Sequence, residues 1–439
     1  MIKKVMILAY DYPPYISVGG LRPQNWFQNF KKNGVYPILV TRQWNNIKND
    51  NFDYIRSSKY KKIIIEENNF GTIINAPFYP NLSNKILLKY GENKFILIRK
   101  IISILYFLLE NLTTFGNKSQ IYSAANNYIS ENEIHLIIAT GDPFILFKYA
   151  SLLSKKNNIP WIADYRDPWV GNVNRSNIFL KKINKYLQKK YVKSASKITT
   201  VSKNLKIQLK KEIGNFDINI ILNGYDDKIN FIPKNIKQSK SILSIGFMGS
   251  IYPWHPLETF INTVFKLHEE KKIELKINFY GLNNEKKIKE LLNKKYPSIK
   301  KQIEFHKRNS NFNTCELIAE NNLFLLFNDY YFLGTKLFNY IALDRKILFC
   351  FNDNKEISKT NFFKEFKNNN QFFENEQINI LEKTNSGIII NDQKHLEKIL
   401  IDMYNEFKKN KFIYNLGRDI EKYSRAHQTK FLCNLINKK

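Results

Sequence analysis

At 439 residues the chain exceeds one typical domain, and two domains of about 200 residues each are expected. A hydrophobic fraction of 43%, with 14% aromatic residues, excludes wholesale disorder. The net charge of +30 favours anionic partners, yet the lysines are spread along the chain with no basic-aromatic RNA motif, zinc finger or basic zipper. Nucleic acid is therefore set aside. Most of the lysines read as a solvated surface, with attraction to an anionic membrane as the sharper alternative.

The first elements follow a strand-helix-strand rhythm. Val5-Met6-Ile7-Leu8-Ala9-Tyr10 is too short for the apolar stretch of a signal peptide and reads as a buried strand. It meets the loop Asp11-Tyr12-Pro13-Pro14. Gly19-Gly20 then open an amphipathic helix through Trp26 and Phe27 that ends near Gly34, and Ile38–Thr41 is the next strand. Glycines at such a first turn let a ligand approach the backbone, or simply make a tight turn. G-x-G-x-x-G is absent. Residues 42–94 are polar, with a strand or strand edge at Lys61–Glu66. Phe95–Leu109 is the most apolar stretch; Arg99-Lys100 interrupt it, and a spanning helix needs about 20 apolar residues. It reads either as a buried helix or as a helix lying on a membrane surface.

Ile134–Thr140 is a strand ending in Gly141-Asp142-Pro143, followed by a helix from Phe144 to Leu153. Ile159–Ala163 is a short strand that empties into Asp164-Tyr165-Arg166-Asp167-Pro168-Trp169. Ligands of open α/β sheets bind beyond the carboxyl ends of strands, so Asp164, Arg166 and Asp167 are candidate site residues; a loop in which Arg166 pairs with a carboxylate is the plainer reading. A basic helix over 178–196, strand 197–202 and strand 218–222 complete this half, and polar 226–241 reads as a linker.

The second half repeats the rhythm. Strand Ile242–Met248 empties into Gly249-Ser250, Pro256 starts a helix to Glu270, Leu275–Gly281 is a strand, and Ile303-Glu304-Phe305 another, before His306-Lys307-Arg308. Leu323–Phe327 is a buried strand. After it, Gly334 breaks the chain, Thr335 can cap, and Leu337, Phe338, Ile341 and Ala342 fall at helical spacing. Backbone amides and Lys336 at a helix N-terminus suit an anion, although an ordinary strand-helix unit with a surface lysine has the same pattern. A terminal helix begins near Tyr423–Thr429. Cys315, Cys350 and Cys433 are scattered without C-x-x-C, so neither a disulfide framework nor a zinc site is expected, and a reducing compartment fits.

The Tyr12-Pro13-Pro14 loop before Gly19-Gly20, Gly141-Asp142-Pro143, Trp161–Trp169, Thr200-Val201-Ser202, Asn223–Asp226, Gly246–Ser250 and Gly334–Tyr340 stand in an order and separation that together resemble GT-B glycosyltransferases of the family 4 type. The resemblance implies an α/β fold of two Rossmann-like domains facing across a cleft: an acceptor-binding domain over 1–225, a linker over 226–241, a sugar-nucleotide-binding domain over 242–415, and a C-terminal helical segment, 416–439, crossing back to the first domain. It implies a metal-independent, retaining transfer of a sugar from a nucleoside diphosphate to a glycan or lipid-linked acceptor, with no cofactor, in the cytoplasm or at the inner face of the membrane. Lys336 with the amides of Gly334, Thr335 and Leu337 would neutralise the diphosphate, Gly249-Ser250 would approach it, and Gly19-Gly20 would complete the cradle. Arg308 would lie near the base. Asp164 or Asp167 would orient or deprotonate the acceptor hydroxyl, with Asp142 and Arg166 binding acceptor. His306 and His427 read as structural or solvated. Many family members carry two glutamates about eight positions apart; the matching positions here are Tyr331 and Asn339, and the Asn339 amide can still bond a ribose hydroxyl. An inactive GT-B partner protein and a sugar-nucleotide epimerase are the rival readings.

Overall fold

The computed structural model describes residues 2–44, 47, 48, 50, 52–170, 178–352 and 374–438, the side chains of 178 and 179 excepted. The chain divides into unit 1, Met1–Leu222 with Gln428–Lys439, and unit 2, Asn223–His427.

Among the described residues, unit 1 is built on β1 (Lys3–Leu8), β2 (Val35–Arg42), β3 (Ile64–Glu67), β4 (Thr72–Ala76), β5 (Leu136–Gly141), β6 (Trp161–Tyr165), β7 (Lys197–Thr200) and β8 (Ile218–Ile220). Their order in the sheet is β3-β4-β2-β1-β5-β6-β7-β8. All neighbours are parallel except β3 and β4. Parallel strands are covered on both faces, so their sequences run apolar instead of alternating; β1 and β5 do so. One face packs Met6, Leu8, Ile137, Trp161 and Tyr165. The other packs Val5, Ile7, Ile138 and Ile162 with Trp26, Phe27 and, from the chain's far end, Leu432, Cys433 and Ile436. The terminal helix Arg425–Asn437 thus gives its last turns to unit 1. Lys3 Nζ donates to Ile436 O at 2.8 Å and Lys197 Nζ to Leu435 O at 2.9 Å, cations on the carbonyls at the helix's negative end.

Unit 2 holds β9 (Ser244–Met248), β10 (Lys276–Tyr280), β11 (Ile303–His306), β12 (Leu323–Phe327), β13 (Lys346–Cys350) and β14 (Gly387–Ile390). The order is β11-β10-β9-β12-β13-β14, parallel throughout. Segment 226–241 is bonded into this unit: Arg345 Nη2 donates to Ile236 O at 2.9 Å, and Asn322 Nδ2 to Ser239 O at 2.9 Å. In both sheets the connection order reverses once, between β1 and β5 and between β9 and β12. Ligand crevices form at the carboxyl ends of strands flanking such a point.

Two expectations are corrected. The apolar stretch forms helix Ile96–Leu112, but it contains no buried residue; Leu97 is 75% exposed and Leu105 60%. Apolar content alone cannot say which neighbours cover a helix. Second, β6 runs two residues beyond Ala163, so Asp164 lies inside the strand and not in the loop after it.

Candidate functional site

In unit 1 the elements around the reversal bring carboxylates and arginines together. Asp164 stands in register with Thr140 on β5 and Thr199 on β7. Its carboxylate is wholly buried and fully used. Arg22 grips it with both Nε (3.1 Å) and Nη2 (2.7 Å), and the hydroxyls of Thr140 and Thr199 donate at 2.9 and 2.7 Å. Arg22 also donates through Nη1 to Ile221 O at 2.7 Å and Leu222 O at 3.0 Å. A carboxylate with every lone pair engaged and no exposure cannot take a proton from an acceptor. Asp164 is an anchor between helix Val18–Asn29, the sheet centre and the chain after β8, which corrects the role assigned to it above.

The carboxylate at this end of the sheet with an unpartnered oxygen is Asp11, which the sequence reading passed over. It sits just past β1. Ser17 Oγ donates to its Oδ2 at 2.6 Å, while Oδ1 is buried with no hydrogen-bond partner among the described residues. Burial raises its pKa, against the opposing pull of the Ser17 hydrogen bond and the Arg166 charge. Ser17 is also the N-cap of helix Val18–Asn29, accepting from Gly19 N at 3.0 Å. Arg166 is clamped by Gly141 O at 2.9 Å and Asp142 O at 2.8 Å. A Cβ on Gly19 would run into the Arg166 guanidinium and lie 2.7 Å from Asp11 Oδ2, and one on Gly20 would lie 3.3 Å from Asp11 O. The glycine pair thus lets Asp11 and the Arg166 side chain pack closely against this turn. Asp142 is half-buried and Asp167 exposed. Asp11, Ser17, Gly19, Asp142 and Arg166 form one cluster.

In unit 2 the expected residues also converge. Gly249 ends β9 with φ +83°, a conformation only glycine adopts freely, and a Cβ there would touch Lys336 Cε at 3.7 Å. Lys336 lies in the first turn of helix Thr335–Ala342, which Gly334 caps. Its Nζ stands 3.8 Å over the Phe247 ring. Burial lowers its pKa from the usual 10.5 to about 8, partly offset by Asp329. Asp329, just past β12, is the second carboxylate that sequence reading missed. Its Oδ1 accepts from His255 Nε2 at 2.7 Å and from Trp254 Nε1 at 3.3 Å, and its Oδ2 lies 3.8 Å from where a Gly334 Cβ would be. His255 Nδ1 accepts from Tyr252 N at 3.3 Å. One ring nitrogen accepts while the other donates, which defines a neutral imidazole, and burial lowers the pKa of His255 in the same sense. Tyr252 and Trp254 stack with centroids 4.7 Å apart.

Asn339 is wholly buried; its Nδ2 donates to Asn311 Oδ1 at 2.9 Å, and its Oδ1 has no partner among the described residues. Tyr331 is buried too. Arg308 is exposed, its Cα 3.4 Å from a Cβ at Gly281. His306 stacks on Tyr280 at 4.4 Å, and His427 is exposed. Asp11 and Asp329 both lie within three residues of the end of a strand that flanks a reversal. That rule, applied to every strand end, would have found them.

Chemically, unit 2 offers a cation and helix amides to an anion, with a carboxylate beside them; unit 1 offers a proton acceptor among arginines. No protein-family model matches the chain, and no curated protein matches it significantly. Solved structures do match in fold. The chain is similar to the sucrose-phosphate synthase of Thermosynechococcus elongatus, at 10% identity and a TM-score of 0.58, over 99% of this chain and 94% of that one. It is similar to the catalytic domain of starch synthase IV from Arabidopsis thaliana bound to ADP and acarbose (12% identity, TM-score 0.53, 98% and 95% covered). It also matches a glycosyltransferase from Rickettsia africae ESF-5 (14% identity, TM-score 0.51, 99% and 95% covered). The fold is GT-B, with two parallel Rossmann-like sheets and helices at the C-terminal end of the chain.

Proposed function

We propose that the protein is a glycosyltransferase of the family 4 type, moving a sugar from a nucleoside-diphosphate sugar to a glycan or lipid-linked acceptor at the inner face of a bacterial membrane, in surface polysaccharide synthesis. The observation that carries this is Lys336, set in the first turn of a helix beside Gly249 at the reversal point of unit 2. As the sugar leaves, negative charge grows on the diphosphate. Lys336 and the amides of Gly334, Thr335 and Leu337 are placed to stabilise it without rearrangement. Ser250 adds a hydroxyl to the same cradle, and Arg308 holds the base. Asp329, oriented by neutral His255 and by Trp254, accepts a hydrogen bond from a donor-sugar hydroxyl. Asp11 takes the acceptor-polarising role assigned by sequence to Asp164, with Asp142, Arg166 and Asp167 around the acceptor.

The test is thermal stabilisation and hydrolysis across a panel of sugar nucleotides, with Lys336→Ala alongside. A nucleotide present at 100 times its Kd stabilises the fold by about 2.7 kcal/mol. Lys336→Ala should lose that shift; undiminished calorimetric binding by this variant would remove the diphosphate assignment. A second reading, a GT-B protein without turnover acting in glycan assembly, is favoured by one observation: the Asn339 amide nitrogen is already held by Asn311. Silence to every sugar nucleotide would select it.

A further inference from the structure

The helix Ile96–Leu112 is held to unit 1 by its inner side and ends. Ser83 Oγ, on the preceding helix Leu82–Tyr90, lies 3.1 Å from Arg99 O and 2.9 Å from Ser103 Oγ. Phe107 packs on the core of unit 1. The carbonyls at the helix's C-terminal end are gathered by buried Lys148, which donates to Glu110 O at 2.6 Å, to Asn111 O at 3.0 Å and to Thr113 O. Tyr191 Oη donates to Asn111 O at 3.0 Å. Glu110, the helix's carboxylate, is turned inward, its Oε1 accepting from Lys118 N at 3.0 Å. The helix is therefore fixed, and besides exposed Lys100 it presents an apolar stripe outward: Leu97, Ile101, Ile104, Leu105, Leu108 and Leu112, at helical spacing and 36% to 82% exposed. Phe95 and Phe115, at its two ends, are 48% and 72% exposed.

A water-exposed stripe of that size on a pinned helix calls for an occupant. The surrounding charge says which. Residues 82–109 carry Lys85, Lys89, Lys94, Arg99 and Lys100 against the single acidic residue Glu92, within a chain of net charge +30. Lys85 and Lys89 line an open groove of about 530 Å³ with Ser57, Tyr79, Pro80 and Leu88. No helix among the described residues is long and apolar enough to cross a membrane. A large apolar stripe within a lysine-rich stretch of the chain fits a helix lying in the headgroup layer of a negatively charged bilayer, apolar side chains in the acyl boundary and ammonium groups on phosphates. A second copy would set the same lysines against each other.

We propose that the outward face of helix Ile96–Leu112, with Lys85 and Lys89 beside it, docks the protein on an anionic lipid surface. This names the surface by which a lipid-linked acceptor would be met. It rests on the glycosyltransferase reading for its purpose and on the exposed stripe for its evidence.

The experiment is co-sedimentation of the full chain with phosphatidylglycerol vesicles and with phosphatidylcholine vesicles. Sugar-nucleotide stabilisation and circular dichroism are read on the same preparations. The intact chain should pellet with phosphatidylglycerol and far less with phosphatidylcholine, and raised salt should weaken it. Leu97→Glu with Leu105→Glu touches only exposed positions and should abolish pelleting with the fold and the nucleotide response unchanged. Lys85→Ala with Lys89→Ala should weaken binding about 30-fold, at about fivefold per lysine near the surface. The proposal is overturned if the intact chain ignores phosphatidylglycerol, if the double glutamate variant pellets equally, or if the chain is a dimer that this variant dissociates. Loss of nucleotide response with vesicle binding intact would instead overturn the functional reading and leave the surface standing.

Discussion

The two units share one strand order around their reversal points and place opposite chemistry there. Beyond β1, unit 1 sets a carboxylate, Asp11, whose pKa burial raises. Beside the end of β9, unit 2 sets an ammonium, Lys336, whose pKa burial lowers to about 8. Both shifts come from desolvation, and both push the group toward its neutral form. The glycines differ in the same way. Gly19 has Arg166 and Asp11 closed over it, whereas Gly249 holds a positive φ with only the Lys336 stem nearby. One topology thus carries a desolvated carboxylate in one unit and a desolvated ammonium in the other. What distinguishes them is a few residues at strand ends.

The strongest way to break this comparison is at the fully engaged aspartate, Asp164. Asp164→Ala leaves Arg22 buried and unpaired, and should cost about 3–5 kcal/mol in urea unfolding. A neutral result would mean that the Arg22 grip carries no structural weight. Asp11→Asn should behave oppositely. Its folded pKa is raised, so the folded state holds a proton the unfolded chain gives up, and ionised Asp11 opposes folding at neutral pH. The amide should therefore leave stability unchanged or higher, while the sugar-transfer rate falls about 100-fold at unchanged donor affinity. Steady-state kinetics against donor and acceptor separately would check this; a loss of donor affinity alone would move Asp11 out of the acceptor site.

Lys336 sharpens the other side. With its pKa near 8, its charge fades as pH rises through that value, so calorimetric affinity for a nucleoside diphosphate should decline above pH 8. Stability moves the other way. Between about 8 and 10.5 the unfolded chain binds the proton that the folded state has lost, so this group's contribution to stability rises with pH. An affinity flat from pH 7 to about 9.5 would detach Lys336 from the anion, since unperturbed lysines near 10.4 titrate later. The smallest effect is at Ser17. Ser17→Ala removes an N-cap worth about 1 kcal/mol. It also removes a hydrogen bond that holds the Asp11 pKa down, so the acidic limb of the pH–rate profile should shift upward.

Much of the fold was legible because parallel, doubly covered strands announce themselves as apolar runs. β1, β5, β9 and β12 were all readable in this way. β4, with Thr72 and Asn75 among its isoleucines, was not, nor was the helix Leu82–Tyr90, whose polar positions hide the pattern. Gly249 and Lys336 were expected together only through the family resemblance, and the structure brings the Lys336 stem close to Gly249. Asp164 was misplaced because its strand runs on to Tyr165, and an aspartate inside a parallel strand contradicts the usual composition until Arg22, 142 residues earlier, is seen to neutralise it.

By itself the sequence determined the α/β rhythm, the elements bearing Lys336 and Arg166, and the apolar identity of Phe95–Leu109. Those are properties of neighbours along the chain, set by hydrophobic period and by glycine and proline punctuation. Only the tertiary structure decided which carboxylate is spent and which keeps an oxygen without a partner among the described residues, and which apolar helix faces water. Those depend on partners far apart in sequence: Arg22 with Asp164, Trp254 and His255 with Asp329, and Lys148 at the end of helix Ile96–Leu112. Burial and charge pairing are properties of three-dimensional surroundings, and no local pattern encodes them.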